Sequence, residues 1–287
     1  KKSNKLSHLN QLIYRSNLLG SDLSITNFGG GNTSSKIIVK DPITRRKEKI
    51  LYVKGSGGDL GSIKEDGFAS LYQEKLDNLK NIYKGIKYED EMVDYYPMCT
   101  FNNNSRAASI DTPLHAFVPY DEVDHTHPDS IIALATMKGG REIVKKIFDN
   151  KIGWIDWQRP GFDLGLKMEK LIKTKPNLEG IVLGHHGLFN WGNSSHECYN
   201  SSVRIIREAQ VYLNQNIKKY SFGKPKYKQK TNPLFESKLI AILRGCLSVD
   251  NSKIVHGNKS AKILEFVNSS NLTKISSIGT SCPDHFL

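Results

Sequence analysis

The sequence predicts an α/β fold on two observations. Segments with apolar residues at helical spacing alternate with short apolar or β-branched runs, and the joins between them are marked by Gly, Pro, Asn and Asp. At 287 residues, 38% of them hydrophobic, the chain can bury one large core or two modest ones. No apolar run approaches a membrane span, and the opening KKSNKLSHLNQLI carries charge without a signal-peptide core. Cys99, Cys198, Cys246 and Cys282 are scattered without a Cys-x-x-Cys pair, and they read as buried thiols of a cytoplasmic protein. The 41 Lys+Arg against 29 Asp+Glu give a net charge of +12, which favours anionic partners such as a sugar phosphate. The excess is dispersed lysine with no basic stripe interleaved with aromatics, which argues against nucleic-acid binding.

In chain order, Leu6, Leu9, Leu12, Ile13 and Leu19 predict an amphipathic helix over 6–19. The glycine turn FGGGN then leads into a strand, Lys36 to Lys40, and a turn at Asp41-Pro42 makes a hairpin with a second strand, Lys49 to Lys54. Consecutive glycines let a backbone approach an anion closely, although this spacing fits neither a Walker loop nor a dinucleotide fingerprint. Ser62 and Glu65 have capping-box spacing and predict a helix from Ile63 to about Leu79. Residues 84–105 read as an irregular connection. A strand over Tyr120 to Thr126, a helix over Ile131 to Met137, a basic helix over Gly139 to Asn150 and a strand over Ile152 to Trp157 follow, with Trp154 and Trp157 as packing residues. Ser194 and Glu197 form a second capping box, opening a long helix to about Ile217. The predicted organisation is a catalytic domain over 1–220, a basic linker over 221–233, and a helical appendage over 234–287 with helices at Leu234 to Leu247 and Lys262 to Val267. The lysine start and abrupt end, GTSCPDHFL, suggest a fragment of a longer chain.

Chemistry concentrates between Ser109 and Ala135. Side chains two apart on a strand share a face, so His125 and His127 in HTHP can reach one ion. Sixty residues on, an apolar strand over Ile181 to Leu183 runs into His185-His186-Gly187, which can supply a third imidazole and leave a fourth position open for substrate. Asp111 and His115 lie just upstream as acid/base candidates.

Together and in this order, SIDTPLH, HTHPD and GHHGLFNWG resemble the class II aldolase/adducin family over most of residues 9–215. The resemblance implies a three-layer α/β/α sandwich assembled as a homo-tetramer, with a Zn2+ or another divalent metal on His125, His127 and His186. It implies that Asp111 and His115 are catalytic and that Gly31, Asn32, Ser56, Gly57 and Ser109 hold the substrate phosphate. Two departures stand out: Asp111 replaces the glutamate usual in these aldolases, and Ile110 replaces one of two adjacent phosphate-site serines. The tail resembles that of the bifunctional rhamnulose-1-phosphate aldolase/short-chain dehydrogenase proteins. This implies cleavage of L-rhamnulose 1-phosphate to dihydroxyacetone phosphate and L-lactaldehyde, with a fused dehydrogenase domain as partner. A sugar-phosphate 4-epimerase, a dehydratase of the same fold and an adducin-like interaction module are the alternatives.

Overall fold

Seven strands build one mixed sheet: β1 (Asn32–Lys40), β2 (Lys47–Lys54), β3 (Phe68–Tyr72), β4 (Glu122–Thr126), β5 (Ile152–Ile155), β6 (Gly180–Leu183) and β7 (Gly187–Gly192). Their order is β3-β2-β1-β4-β7-β6-β5, with every neighbouring pair antiparallel except β5 with β6. The computed structural model describes residues 6–217, 222–227, 232–282 and 284. Among these, residues up to Gln215 and those after Gly279 form one compact unit, and Asn216–Gly279 a second.

Alternation along the strands sorts side chains to two helical layers. Val182 of β6 and Leu188 of β7 pack with Ile131 and Leu134 of α5 (Asp129–Thr136), Val144 of α6 (Gly140–Ile147), and Ile205 and Ala209 of α8 (Ser195–Asn216). Leu19 of α1 (His8–Gly20) joins that side. On the other face, Ile181, Leu183, Phe189 and Trp191 meet Leu114 of α4 (Thr112–Ala116) and Leu164, Met168 and Ile172 of α7 (Phe162–Thr174). This is the α/β/α sandwich the sequence predicts.

Beneath β4 lies a buried ionic cluster. Arg15 of α1, 2% exposed, donates from Nε to Asp124 (2.9 Å), from Nη1 to Glu122 and to Ser195 Oγ (2.8 Å), and from Nη2 to the Ser34 carbonyl (2.8 Å). Ser202 of α8 donates to the second Asp124 oxygen at 3.0 Å. One guanidinium thereby ties α1, β1, β4 and α8 together. A buried charge is tolerated only when paired and fully hydrogen-bonded, and these partners meet that condition.

Several elements differ from the sequence reading. The predicted helix over 63–79 is a 3-10 turn (Glu65–Gly67), β3 and a short α2 (Gln73–Asn78). The apolar spacing of Phe68, Leu71, Leu76 and Leu79 suits a helix, but residues 68–71 are buried on both faces and find their hydrogen bonds on β2. The connection over 84–105 contains α3 (Glu89–Val93) and a 3-10 turn (Tyr96–Cys99), and buries Met92, Tyr96 and Cys99. The basic helix starts afresh at Gly140, because left-handed Gly139 (φ 77°) breaks it from α5. α7 and β7 have no counterpart in the sequence reading. Trp157 is 65% exposed rather than core, and Cys246 is exposed rather than buried.

Of the expected linker, residues 221 and 228–231 lie outside the described residues, while Pro225 bridges Ser269 within the second unit. That unit holds α9 (Pro233–Leu247), α10 (Ala261–Val267) and an unanticipated α11 (Leu272–Ser276). Among the described residues no helix is long and apolar enough to cross a membrane.

Arg15→Ala should destabilise the fold by roughly 3–5 kcal/mol in urea unfolding, because it strands Glu122 and Asp124 without their cation. A loss below about 1 kcal/mol would show that the cluster is not a support for β4.

Candidate metal centre

β4 is buried along its whole length, and its alternation divides the chemistry. Glu122 and Asp124 point to Arg15, so Val123 and His125 point to the opposite face, with His127 following just past the strand. The His125 ring stacks on Phe189 of the neighbouring strand, with centroids 4.0 Å apart and planes 10° apart. The third imidazole comes from the β6–β7 turn, where His185 adopts φ 56° and bonds through its backbone N–H to the Ala135 carbonyl. That left-handed residue turns the chain so that His185 faces solvent and His186 is buried beside His125.

His125, His127 and His186 each offer a ring nitrogen, all within 4.8 Å of one another. The Nε2 of His125 lies 2.9 Å from that of His127 and 3.2 Å from that of His186. Imidazoles around a tetrahedral zinc would sit about 3.3 Å apart, given bonds of about 2.0–2.1 Å. The far ring nitrogens fix the tautomers. His125 Nδ1 donates to the Leu188 carbonyl (3.0 Å), and His127 Nδ1 meets the Asp284 carboxylate (2.6 Å). With its Nδ1 proton given to the Leu188 carbonyl, His125 keeps a lone pair on Nε2, which faces His127 Nε2 at 2.9 Å. Burial, reinforced by His127 and His186, pushes the His125 pKa well below the usual imidazole value. Burial, then His127, lowers His186 to about 4. Neutral imidazole is the form that binds a metal, so the donor set fits a divalent cation.

Beside the histidines runs a chain of hydrogen bonds with one possible direction. Asn32 stands opposite His125 in the β1–β4 register. Its Nδ2 can only donate, and does so to Asp111 Oδ2 at 2.9 Å; its Oδ1 can only accept, and does so from His115 Nε2 at 2.9 Å. His115 Nδ1 must then accept from the Ser34 hydroxyl, 2.8 Å away. Asp111 Oδ1 is buried with no hydrogen-bond partner among the described residues. His115 is 0% exposed, and burial, aided by the Lys36 and Arg15 charges, lowers its pKa to about 3.

The other sequence candidates lie around this chain. Gly31 has φ 73°, and a Cβ there would run into the His125 carbonyl oxygen. The Asn32 amide donates one Nδ2 hydrogen to Asp111 and accepts from His115, which leaves its second Nδ2 hydrogen. Ser109 Oγ accepts from the Asp111 N–H (3.2 Å), which seats the carboxylate at the start of α4. Ser56 and Gly57 are exposed in a loop where Arg106 Nη1 donates to the Ser56 carbonyl (3.3 Å). Next to it is a cavity of about 140 Å³ lined by Gly57, Gly58, Ser62, Lys64 and Arg106. Sequence reasoning missed Lys54, 5% exposed at the end of β2, whose ammonium feels Asp111 and Asp59. Its position directly before Gly55-Ser56-Gly57 was the available signal.

The family model described as Class II Aldolase and Adducin N-terminal domain matches residues 10–213. The chain belongs to the class II aldolase and adducin family. A model described as Aldolase class II, second domain, matches residues 235–287. The Bacillus subtilis protein named Uncharacterized oxidoreductase YuxG is 38% identical over 286 residues, which cover 96% of this chain and 40% of that protein. The chain thus spans less than half the length of the curated relative it matches. The N-terminal class II aldolase domain of a conserved Thermoplasma acidophilum protein superposes with a TM-score of 0.66 at 31% identity, covering 72% of this chain and 94% of that one. A sugar-phosphate aldolase from Thermotoga maritima shares the fold, with a TM-score of 0.53 at 13% identity over 75% of this chain and 97% of that one.

The buried histidines make acid stability a test of the site. The folded His115 pKa of about 3 lies below the unfolded value of about 6.5, so the unfolded state binds the extra proton between those values. Stability is full above pH 6.5 and falls as the pH drops toward 3. His115→Gln should therefore lose about 2 kcal/mol less than the parent between pH 7 and pH 5 in urea unfolding. Equal losses would mean that His115 is protonated in the fold.

Proposed function

We propose that this chain is a metal-dependent lyase that cleaves a ketose 1-phosphate, L-rhamnulose 1-phosphate, to dihydroxyacetone phosphate and L-lactaldehyde. One observation carries the reading. Three imidazoles converge near a carboxylate, Asp111, that has one oxygen fixed by Asn32 and the other buried with no hydrogen-bond partner among the described residues. Zinc or another divalent cation on His125, His127 and His186 would polarise the sugar oxygens and stabilise the negative charge that develops as the carbon–carbon bond breaks.

Asp111 moves the proton at the carbon left behind, through its unpartnered Oδ1, while Oδ2 stays on Asn32. His115 and Ser34 hold Asn32 in turn. This assigns His115 to orienting the carboxylate, since both its ring nitrogens are engaged and burial keeps it neutral. Gly31, Ser56, Gly57 and Ser109 line the path of the substrate phosphate, with Lys54 and Arg106 supplying positive charge. Asn32 links Asp111 to His115 and keeps a second Nδ2 hydrogen for the anion. Phosphate binding would thus fix the reacting carbons between the imidazoles and Asp111.

The length and name of the Bacillus relative support a further assignment, in which this chain is the aldolase part of a longer protein whose oxidoreductase part oxidises the aldehyde.

Purified chain incubated with a panel of ketose 1-phosphates should release dihydroxyacetone phosphate from L-rhamnulose 1-phosphate and should reduce no added nicotinamide cofactor. Activity confined to interconverting pentulose phosphates would move the function to a 4-epimerase. Asp111→Asn should retain the metal and lose roughly a hundredfold or more in turnover. Unchanged turnover would reassign the proton-transfer group.

A further inference from the structure

His127 differs from His125 in lying past the end of its strand rather than within the sheet. His125 is held by the Leu188 carbonyl of the adjacent strand and by the Phe189 ring, and His186 by its turn. His127 lies past the end of β4, with its backbone N–H on Thr26 Oγ1 at 3.2 Å. Its ring is met by a carboxylate from far along the chain: Asp284 Oδ2 is 2.6 Å from His127 Nδ1, across a separation of 157 residues. The two side chains are 9% and 6% exposed. Asp284 lies in the stretch matched by the second-domain model, yet it belongs to the same compact unit as the three histidines. Space is kept open for it, because a Cβ on Gly30 would overlap the Asp284 carboxylate.

We infer that Asp284 is a positioning residue for the metal site, acting through His127. Its oxygen sits on Nδ1, the ring nitrogen turned away from the Nε2 cluster, so it stands behind the ligand and outside the ligand set. A carboxylate there does two things. It holds the proton on Nδ1, which leaves the Nε2 lone pair for the cation, and it makes that lone pair a stronger donor. It also restricts rotation of the His127 ring, which lies past the end of β4. Asp284 thereby contributes to assembling the site, and cation affinity depends on it.

The inference rests on the metal reading of the triad, and the test separates the two. Zinc affinity is measured by competition with a chromophoric chelator for the parent, Asp284→Ala, Asp284→Asn and Asp284→Glu. Each metal-free protein is melted in parallel, and the cobalt(II) absorption spectrum of each is recorded. The parent should bind one ion. Asp284→Ala should bind about 10–100-fold more weakly with an unchanged metal-free melting temperature, Asp284→Asn should lose less, and Asp284→Glu should recover part of the affinity. The intensity of the cobalt bands should stay the same, because the number of ligands does not change.

A parent that binds no ion would overturn the metal reading itself. Ala and Asn variants within about twofold of a parent that does bind would overturn the role of Asp284 alone. A rise in cobalt band intensity in Asp284→Ala would mean that a ligand had been lost, and would equally overturn the positioning role. Should Asp284→Ala melt lower without metal, the near-isosteric Asp284→Asn decides, because it keeps the shape and removes only the charge.

Discussion

The antiparallel pairing of β1 with β4, which sets Asn32 opposite His125, is the constraint on which the site depends. It brings an amide from the first strand beside an imidazole from the fourth, and it aims both at the face where α4 presents Asp111 and His115. The opposite face of the same two strands is closed by Arg15, which bonds to β4 through Glu122 and Asp124 and to β1 through the Ser34 carbonyl. A slip of one residue in this pairing would exchange the two faces, placing carboxylates in the ligand cluster and imidazoles against the guanidinium. The ionic cluster thus makes the wrong register costly, and the geometry of the chemistry follows from the right one.

Burial then sets the protonation states. Water is excluded from His115 and His125, which keeps them neutral, and neutrality lets the first pass a hydrogen bond from Ser34 to Asn32 and the second offer a lone pair. The Asp111 oxygen that is buried with no partner among the described residues carries a cost in the bare fold. A substrate proton bound there would offset that cost.

Much of the site could be read in the sequence because its ligand motifs are local. His-x-His on a strand shares a face by periodicity alone, and Gly-His-His-Gly after an apolar run announces a turn. The Asp111–Asn32–His115 chain could not be read that way, because it joins residues 79 and 83 positions apart through strand register. Asp284 was beyond reach for the same reason. Among the elements, the capping box at Ser194 formed, with Glu197 N–H donating to Ser194 Oγ at 3.2 Å. The similar pair at Ser62 and Glu65 did not start a helix, because the residues after it were claimed by β2. A local signal decides where no stronger long-range pairing competes.

The ring nitrogens of His125, His127 and His186 lie close enough together to hold one cation. An anomalous-difference map from a crystal soaked in zinc tests this most directly. The account predicts a single strong peak within about 2.0–2.1 Å of the Nε2 atoms of His125, His127 and His186, with Asp284 outside bonding distance. A peak held by other side chains, or no peak at a triad with intact geometry, would contradict it.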